Sequence, residues 1–122
     1  MKIRVYYEDT DCGGVVYHSN YLSFCERARS ELFFQKGLTP HQESEFFVVK
    51  SLEANYISSA VFGDELFVKT KLIEKKAASL TLHQEIIKDE KVIFEMNVKV
   101  VYLKNKKPSK IPNEMFEVFK ND

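Results

Sequence analysis

The clearest pattern in the chain is an alternation near its end, where Val92, Phe94, Met96, Val98, Val100 and Tyr102 fall on one side and Glu95, Asn97 and Lys99 on the other. A period of two is the mark of a half-buried strand. Three more strands precede it. One runs from Phe46-Phe47-Val48-Val49 to Ile57, one from Glu65 to Ile73 after the break at Gly63-Asp64, and in the third Leu80, Leu82, Gln84 and Ile86 alternate. Lys88-Asp89-Glu90-Lys91 leaves room only for a tight hairpin between the last two. At the N-terminus residues 2–8 alternate as a short strand, with Ile3, Val5 and Tyr7 on one face.

Between these regions the period changes. From Ser19 to Lys36, a helical wheel gathers Tyr21, Leu22, Phe24, Cys25, Ala28, Leu32 and Phe33 over about half the circumference. Arg29 sits inside that apolar arc and Phe34 outside it. Gly37 stops the helix, Pro40 lies beyond it, and His41 to Glu45 read as a polar loop. Lys104 to Pro112 read as a basic loop, and Asn113 to Lys120 as a short final helix. So wide an apolar face on one helix, followed by four long strands, predicts an α+β domain in which a curved antiparallel sheet wraps a single long helix. No linker, repeat or low-complexity tract divides the 122 residues, so one domain over 1–122 is expected.

Charge and composition narrow the function. Lys plus Arg and Asp plus Glu both number 18, so the chain carries no net charge to draw it to nucleic acid. No apolar run approaches the ~20 residues of a membrane span. Met1-Lys2-Ile3-Arg4 leads into Val5-Tyr6-Tyr7 without the apolar run of a signal peptide. Two cysteines, Cys12 and Cys25, are too few for a disulfide framework. A cytoplasmic protein is the expectation.

The candidate chemistry lies from Tyr6 to Glu31. Glu8, Asp9 and Asp11 crowd before Gly13 and Gly14, and the helix starts soon after. Three carboxylates repel one another, so a loop that keeps them together is a candidate site. Glycines let backbone approach a ligand closely. A helix N-terminus near Val16 to Asn20 presents N–H groups that can stabilise developing negative charge.

The segment Tyr7-Glu8-Asp9-Thr10-Asp11-Cys12-Gly13-Gly14-Val15-Val16-Tyr17-His18-Ser19-Asn20-Tyr21, with Glu26-Arg27-Ala28-Arg29, resembles the hotdog-fold thioesterases of the 4-hydroxybenzoyl-CoA thioesterase type, and among them the Tol-Pal-associated acyl-CoA thioesterases. Tyr56 to Leu66 and Ala78 to Ile86 extend the resemblance over nearly the whole chain, although Ser59 stands where the family commonly carries Pro. The resemblance implies a hotdog fold and hydrolysis of an acyl-CoA thioester to free acid and coenzyme A, without a cofactor beyond the substrate's own coenzyme A. It implies Asp11 as general base or nucleophile, His18 as its orienting or proton-handling partner, and Tyr7 as a hydrogen-bonding group at the strand end. Substrate contacts fall to Gly13, Gly14, Val16, Tyr17, Asn20 and Tyr21. Sheets joined across a homodimer, paired again into a tetramer, are the implied assembly, and an acyl carrier protein is a second candidate partner.

Two rival readings use the same fold: a hydratase or dehydratase acting on acyl thioesters, and a non-catalytic module binding acyl-CoA or acyl carrier protein. A metal site is not expected, because Cys12, His18 and Cys25 match no common zinc spacing and a fourth ligand would have to be His41 or His83. Lys104, Lys106, Lys107 and Lys110 read as a solvated tail, with coenzyme A phosphates as their alternative.

Overall fold

The computed structural model describes residues 1–119. Its strands are β1 (Lys2–Arg4), β2 (Glu45–Tyr56), β3 (Glu65–Lys75), β4 (Ser79–Lys88), β5 (Lys91–Lys104) and β6 (Lys107–Pro108), and its helices α1 (His18–Phe34) and α2 (Asn113–Phe116). The sheet runs β1-β3-β4-β5-β2 with every pair antiparallel, and β6 adds a two-residue hairpin to the end of β5. One long helix against one face of this sheet is the expected α+β arrangement. The final helix is shorter than predicted: α2 passes into a single 3-10 turn at Glu117–Phe119, and Lys120 lies outside the described residues.

Helix α1 buries Tyr21, Phe24, Cys25, Ala28 and Phe33 against Leu66, Val68, Leu80, Leu82, Ile86, Phe94, Met96 and Val98 of the sheet. Its end is set by Gly37 at φ 73°, with the Leu38 and Gly37 N–H groups donating to the Phe33 and Phe34 carbonyls. That pairing is a Schellman cap, which needs the left-handed conformation glycine adopts freely.

Two polar residues interrupt this core and find each other. Gln84 points into the helix–sheet interface with none of its surface exposed. Its Nε2 donates to the Cys25 carbonyl at 3.0 Å and to Thr70 Oγ1 at 2.9 Å, and its Oε1 accepts from Arg29 Nη1 at 2.8 Å. The arginine inside the apolar arc of the helix is thus met by the one amide in the apolar row of β4, and the pair pins α1 at a fixed height over the sheet.

Three bulges bend the strands: Lys50 in β2, Ile73 in β3 and Ile93 in β5 each lack an opposite partner. The bulge in β2 keeps both Val49, opposite Val100, and Leu52, opposite Val98, on the helix side of the sheet. Helix α1 does not reach that far, so Leu52 and Tyr56 remain exposed at 40% and 48%. Strand β2 is therefore an edge strand twelve residues long with an uncovered apolar side.

The first strand is shorter than its alternation predicts. Pairing with β3 ends at Arg4, and Tyr7–Asp9 turn into a 3-10 helix. The cause is Asp9, whose Oδ2 accepts from the Tyr6 N–H at 2.9 Å and closes a cap at the start of the turn.

Candidate active site

The loop between that turn and α1 folds back on itself. Thr10 bridges Val16, the Asp11 N–H donates to the Val15 carbonyl, and the Gly14 N–H returns to the Asp11 carbonyl at 3.0 Å. Gly14 sits at φ 84°, a conformation that a side chain would strain. Gly13 is constrained differently: a Cβ there would stand 3.2 Å from Asp11 Oδ1, which itself accepts from the Gly13 N–H at 2.8 Å. The glycine pair thus holds the Asp11 carboxylate on an exposed hairpin tip.

The three carboxylates separate by role. Asp9 is 8% exposed and serves as the cap described above, while Glu8 and Asp11 face solvent. What reads as one acidic cluster is one structural carboxylate and two exposed ones.

Behind the tip, the segment 57–62 supplies the wall. Ile57 and Ser58 donate to the carbonyl of the bulged Ile93, Val61 bridges Val15, and the Val16 N–H donates to the Ala60 carbonyl. The Ala60 N–H in turn donates to the Tyr21 hydroxyl at 3.0 Å. The Ser59 N–H meets no acceptor among the described residues, so this position costs the sheet nothing whether it carries serine or proline. The turn that follows, Val61 to Asp64, closes on Gly63 at φ 88° and is fastened by Asp64, which accepts from the Val61 N–H at 2.8 Å and from Lys88 Nζ at 2.7 Å.

Helix α1 begins at His18, within the expected Val16 to Asn20, but not every N–H group of that stretch is open. The Val16 N–H goes to Ala60 and the Tyr17 N–H to the Asp9 carbonyl at 3.0 Å, so neither is free. Tyr17 is the N-cap residue and brings no side-chain cap. The N–H groups of His18 and Ser19 meet no acceptor among the described residues, and they open the helix toward solvent beside the Asp11 hairpin. Here the positive end of the helix dipole is uncapped.

The expected site residues fall into two groups. Asp11, Gly13, Gly14, Tyr17 and His18 are all exposed around the hairpin tip and the helix start. Val16 and Tyr21 are core residues, the Tyr21 ring stacking on Phe94 at 5.4 Å. Asn20 Nδ2 donates to the Asp9 carbonyl at 2.9 Å and ties the helix to the turn. Tyr7 does not stand at a strand end: it opens the 3-10 turn, 75% exposed, with its ring stacked on Phe62 at 4.0 Å.

An aromatic group that the sequence reading missed flanks the helix start. The His18 ring lies 4.3 Å from that of Tyr17 and edge-on to Tyr56, whose hydroxyl donates to the His18 carbonyl at 2.9 Å. Tyr56 ends β2, and only the sheet register brings it here. Partial burial, with smaller contributions from Tyr21 and Cys25, raises its pKa and keeps it a hydrogen-bond donor at neutral pH. Cys25 is buried and its thiol pushed up to about 12 by that burial, so it supplies no thiolate. Among the described residues no three His, Cys, Asp or Glu side chains are grouped to hold a metal ion.

Residues 5–119 match the thioesterase-like superfamily. The chain is 41% identical to the acyl-CoA thioesterase YbgC of Haemophilus influenzae over 98% of this chain and 92% of that one. It is 48% identical to the acyl-CoA thioesterase YbgC of Helicobacter pylori, the match spanning 70% of this chain and 65% of that protein's length. Among solved structures, a probable thioesterase from Bartonella henselae superposes with a TM-score of 0.86 at 32% identity, covering 92% of this chain and 97% of the other.

Proposed function

The chain belongs to the thioesterase-like superfamily and has its hotdog fold, and from that premise we propose that it hydrolyses acyl-CoA thioesters to free acid and coenzyme A. The observation that carries the reading is an exposed Asp11 carboxylate, held by the Gly13 N–H on the hairpin that leads directly into α1, together with exposed His18 and Ser19 whose N–H groups meet no acceptor among the described residues.

In this scheme the thioester oxygen lies against the open helix start, where backbone donors stabilise the negative charge that builds as the carbonyl is attacked. Asp11 acts by one of two routes. As a base it takes a proton from water, whose oxygen adds to the carbonyl carbon before the C–S bond breaks and the thiolate leaves. As a nucleophile it forms a mixed anhydride, expels the thiolate and is freed by water in a second step. Gly13 and Gly14 let the substrate come close, and Tyr17 and Tyr7 supply aromatic contact surface at its flanks. Val16, Asn20 and Tyr21 act from behind, by holding the hairpin and helix in register. His18 orients or relays a proton. No carboxylate bonds its ring among the described residues, which is why the hydratase reading, with its need for a His-centred acid/base pair, is less well supported.

The uncovered side of β2 is the natural place for a second copy, since a long edge strand left open invites pairing. A homodimer joined there brings Tyr56 and the helix start of each protomer close to the other's edge, and two dimers associate into a tetramer. No helix of the described residues is long and apolar enough to cross a membrane. Two unbridged thiols suit a reducing compartment, and we place the protein in the cytoplasm. The test is thiol release from a panel of short, long and aromatic acyl-CoA thioesters, with an acyl carrier protein thioester beside them. Turnover of at least one supports the reading. Saturable binding with no thiol released from any, or hydration of an enoyl thioester in its place, overturns it.

A further inference from the structure

A cavity lies away from Asp11, between the later turns of α1 and strands β2, β4 and β5. It has a volume of about 210 Å³, and its wall is largely apolar, with Phe33, Phe47, Leu82, Val100 and Phe119 contributing. The charged and titratable groups on it are Arg29, Glu26 and His41.

Arg29 is the unusual member. One of its five donors is held by the fully buried Gln84 carboxamide at 2.8 Å, and Gln84 is itself fixed by Cys25 and Thr70, so the guanidinium is anchored on a rigid support. Among the described residues no carboxylate forms an ion pair with it. Burial makes its charge costly and lowers its pKa, an effect that Cys25 and Glu26 only partly oppose. Cys25 remains a neutral thiol at neutral pH, and Glu26, on the exposed side of the helix, is screened by water. An anchored cation whose other donors meet no acceptor among the described residues, at the wall of a small, largely apolar cavity, is complementary to an amphipathic anion. Guanidinium geometry favours a carboxylate in particular.

We infer that this cavity binds the free carboxylate of a short acyl or aryl acid, with the carboxylate on the Arg29 guanidinium and the apolar body among Phe33, Phe47, Leu82 and Val100. Acids of this class are what the proposed hydrolysis would release. The inference stands on the chemistry of the cavity, and it survives if the hydrolysis reading fails.

The test compares octanoate with octanamide, which has the same body and no charge, by NMR titration of the intact protein with labelled arginine side chains and Leu and Val methyls. Octanoate is expected to shift Arg29, Leu82 and Val100 and to bind roughly tenfold or more tightly than octanamide, as loss of a charge-assisted hydrogen bond requires. Arg29→Lys should keep a preference for octanoate, and Arg29→Met should abolish it. Equal binding of the two ligands, or octanoate shifts confined to Val15, Val16 and Val61 beside Asp11, overturns the inference. If Arg29→Met does not fold, the wild-type comparison and Arg29→Lys decide. Thiol release, measured separately, keeps a failure here distinct from a failure of the activity.

Discussion

Replacing Gln84 by methionine removes three hydrogen bonds from the centre of the helix–sheet interface with little change in shape. Gln84 Nε2 gives up Cys25 and Thr70, and Oε1 gives up Arg29. The Cys25 carbonyl keeps its bond within the helix, so its loss is small. Thr70 Oγ1, almost fully buried, loses its donor, at a cost of about 1 kcal/mol. The Arg29 guanidinium loses its anchor, worth about 1.5–3 kcal/mol for a bond to a charged group. Methionine recovers some of this by apolar transfer, leaving an expected net loss of about 2–3 kcal/mol. For a domain of this size that lowers Tm by roughly 6–15 °C. The assay is urea and thermal unfolding at one protomer concentration, since any self-association makes stability concentration-dependent. Adding Arg29→Met to Gln84→Met should cost at least about 1 kcal/mol less than the sum of the two single changes, because the half-buried guanidinium is no longer stranded. A Gln84→Met loss below about 0.5 kcal/mol, or simple additivity in the double variant, would refute the claim that this network fixes α1 on the sheet.

Other consequences separate loop geometry, pH response and assembly. Gly14→Ala should cost about 1 kcal/mol of stability through its positive φ, whereas Gly13→Ala should leave unfolding nearly unchanged but lower kcat by displacing the Asp11 carboxylate, read by parallel melts and thiol-release kinetics. Partial burial pulls the Asp64 carboxyl up, yet the Lys88 ammonium and the Val61 N–H together outweigh it and hold the pKa below the ordinary carboxylate value. Its contribution is therefore present above about pH 4, the unfolded value, and is lost as pH falls through the lower folded value. Asp64→Asn should flatten that acid limb of the stability curve, and an unchanged limb would contradict the assignment. Leu52→Lys, on the uncovered side of β2, should shift the mass seen by light scattering to that of a single chain while leaving the far-UV signal intact.

The sequence spoke clearly where one residue type repeats at one period, and less clearly where a feature depends on what lies across the sheet. The row from Phe94 to Tyr102 and the helix with its Gly37 stop are both where their patterns place them. The bulges at Lys50, Ile73 and Ile93 were not legible, because an unpaired residue is defined only by the strand opposite. The tight hairpin at Asp89-Glu90 was legible from the short connection, but the second one at Asn105-Lys106 was not, since it takes positive φ without a glycine inside a stretch that reads as a loop. Arg29 and Gln84 each broke an apolar pattern and were visible singly; their pairing needed the register of helix on sheet. At the site, Asp11, the glycine pair and a helix start could be read along the chain, but the consumption of the Val16 and Tyr17 N–H groups by Ala60 and Asp9 could not. That folding back moves the open helix end to His18 and Ser19.

The central claim is that Asp11 carries the chemistry and the helix start assists it. Its most direct measurement is kcat for thiol release by Asp11→Asn on the best acyl-CoA substrate, with unfolding curves run on the same preparation. Asparagine keeps an oxygen to accept the Gly13 N–H, so the hairpin and the stability should persist while kcat falls by about 10²-fold or more, as loss of a general base or nucleophile requires. A folded Asp11→Asn protein that turns over at the wild-type rate would contradict the account.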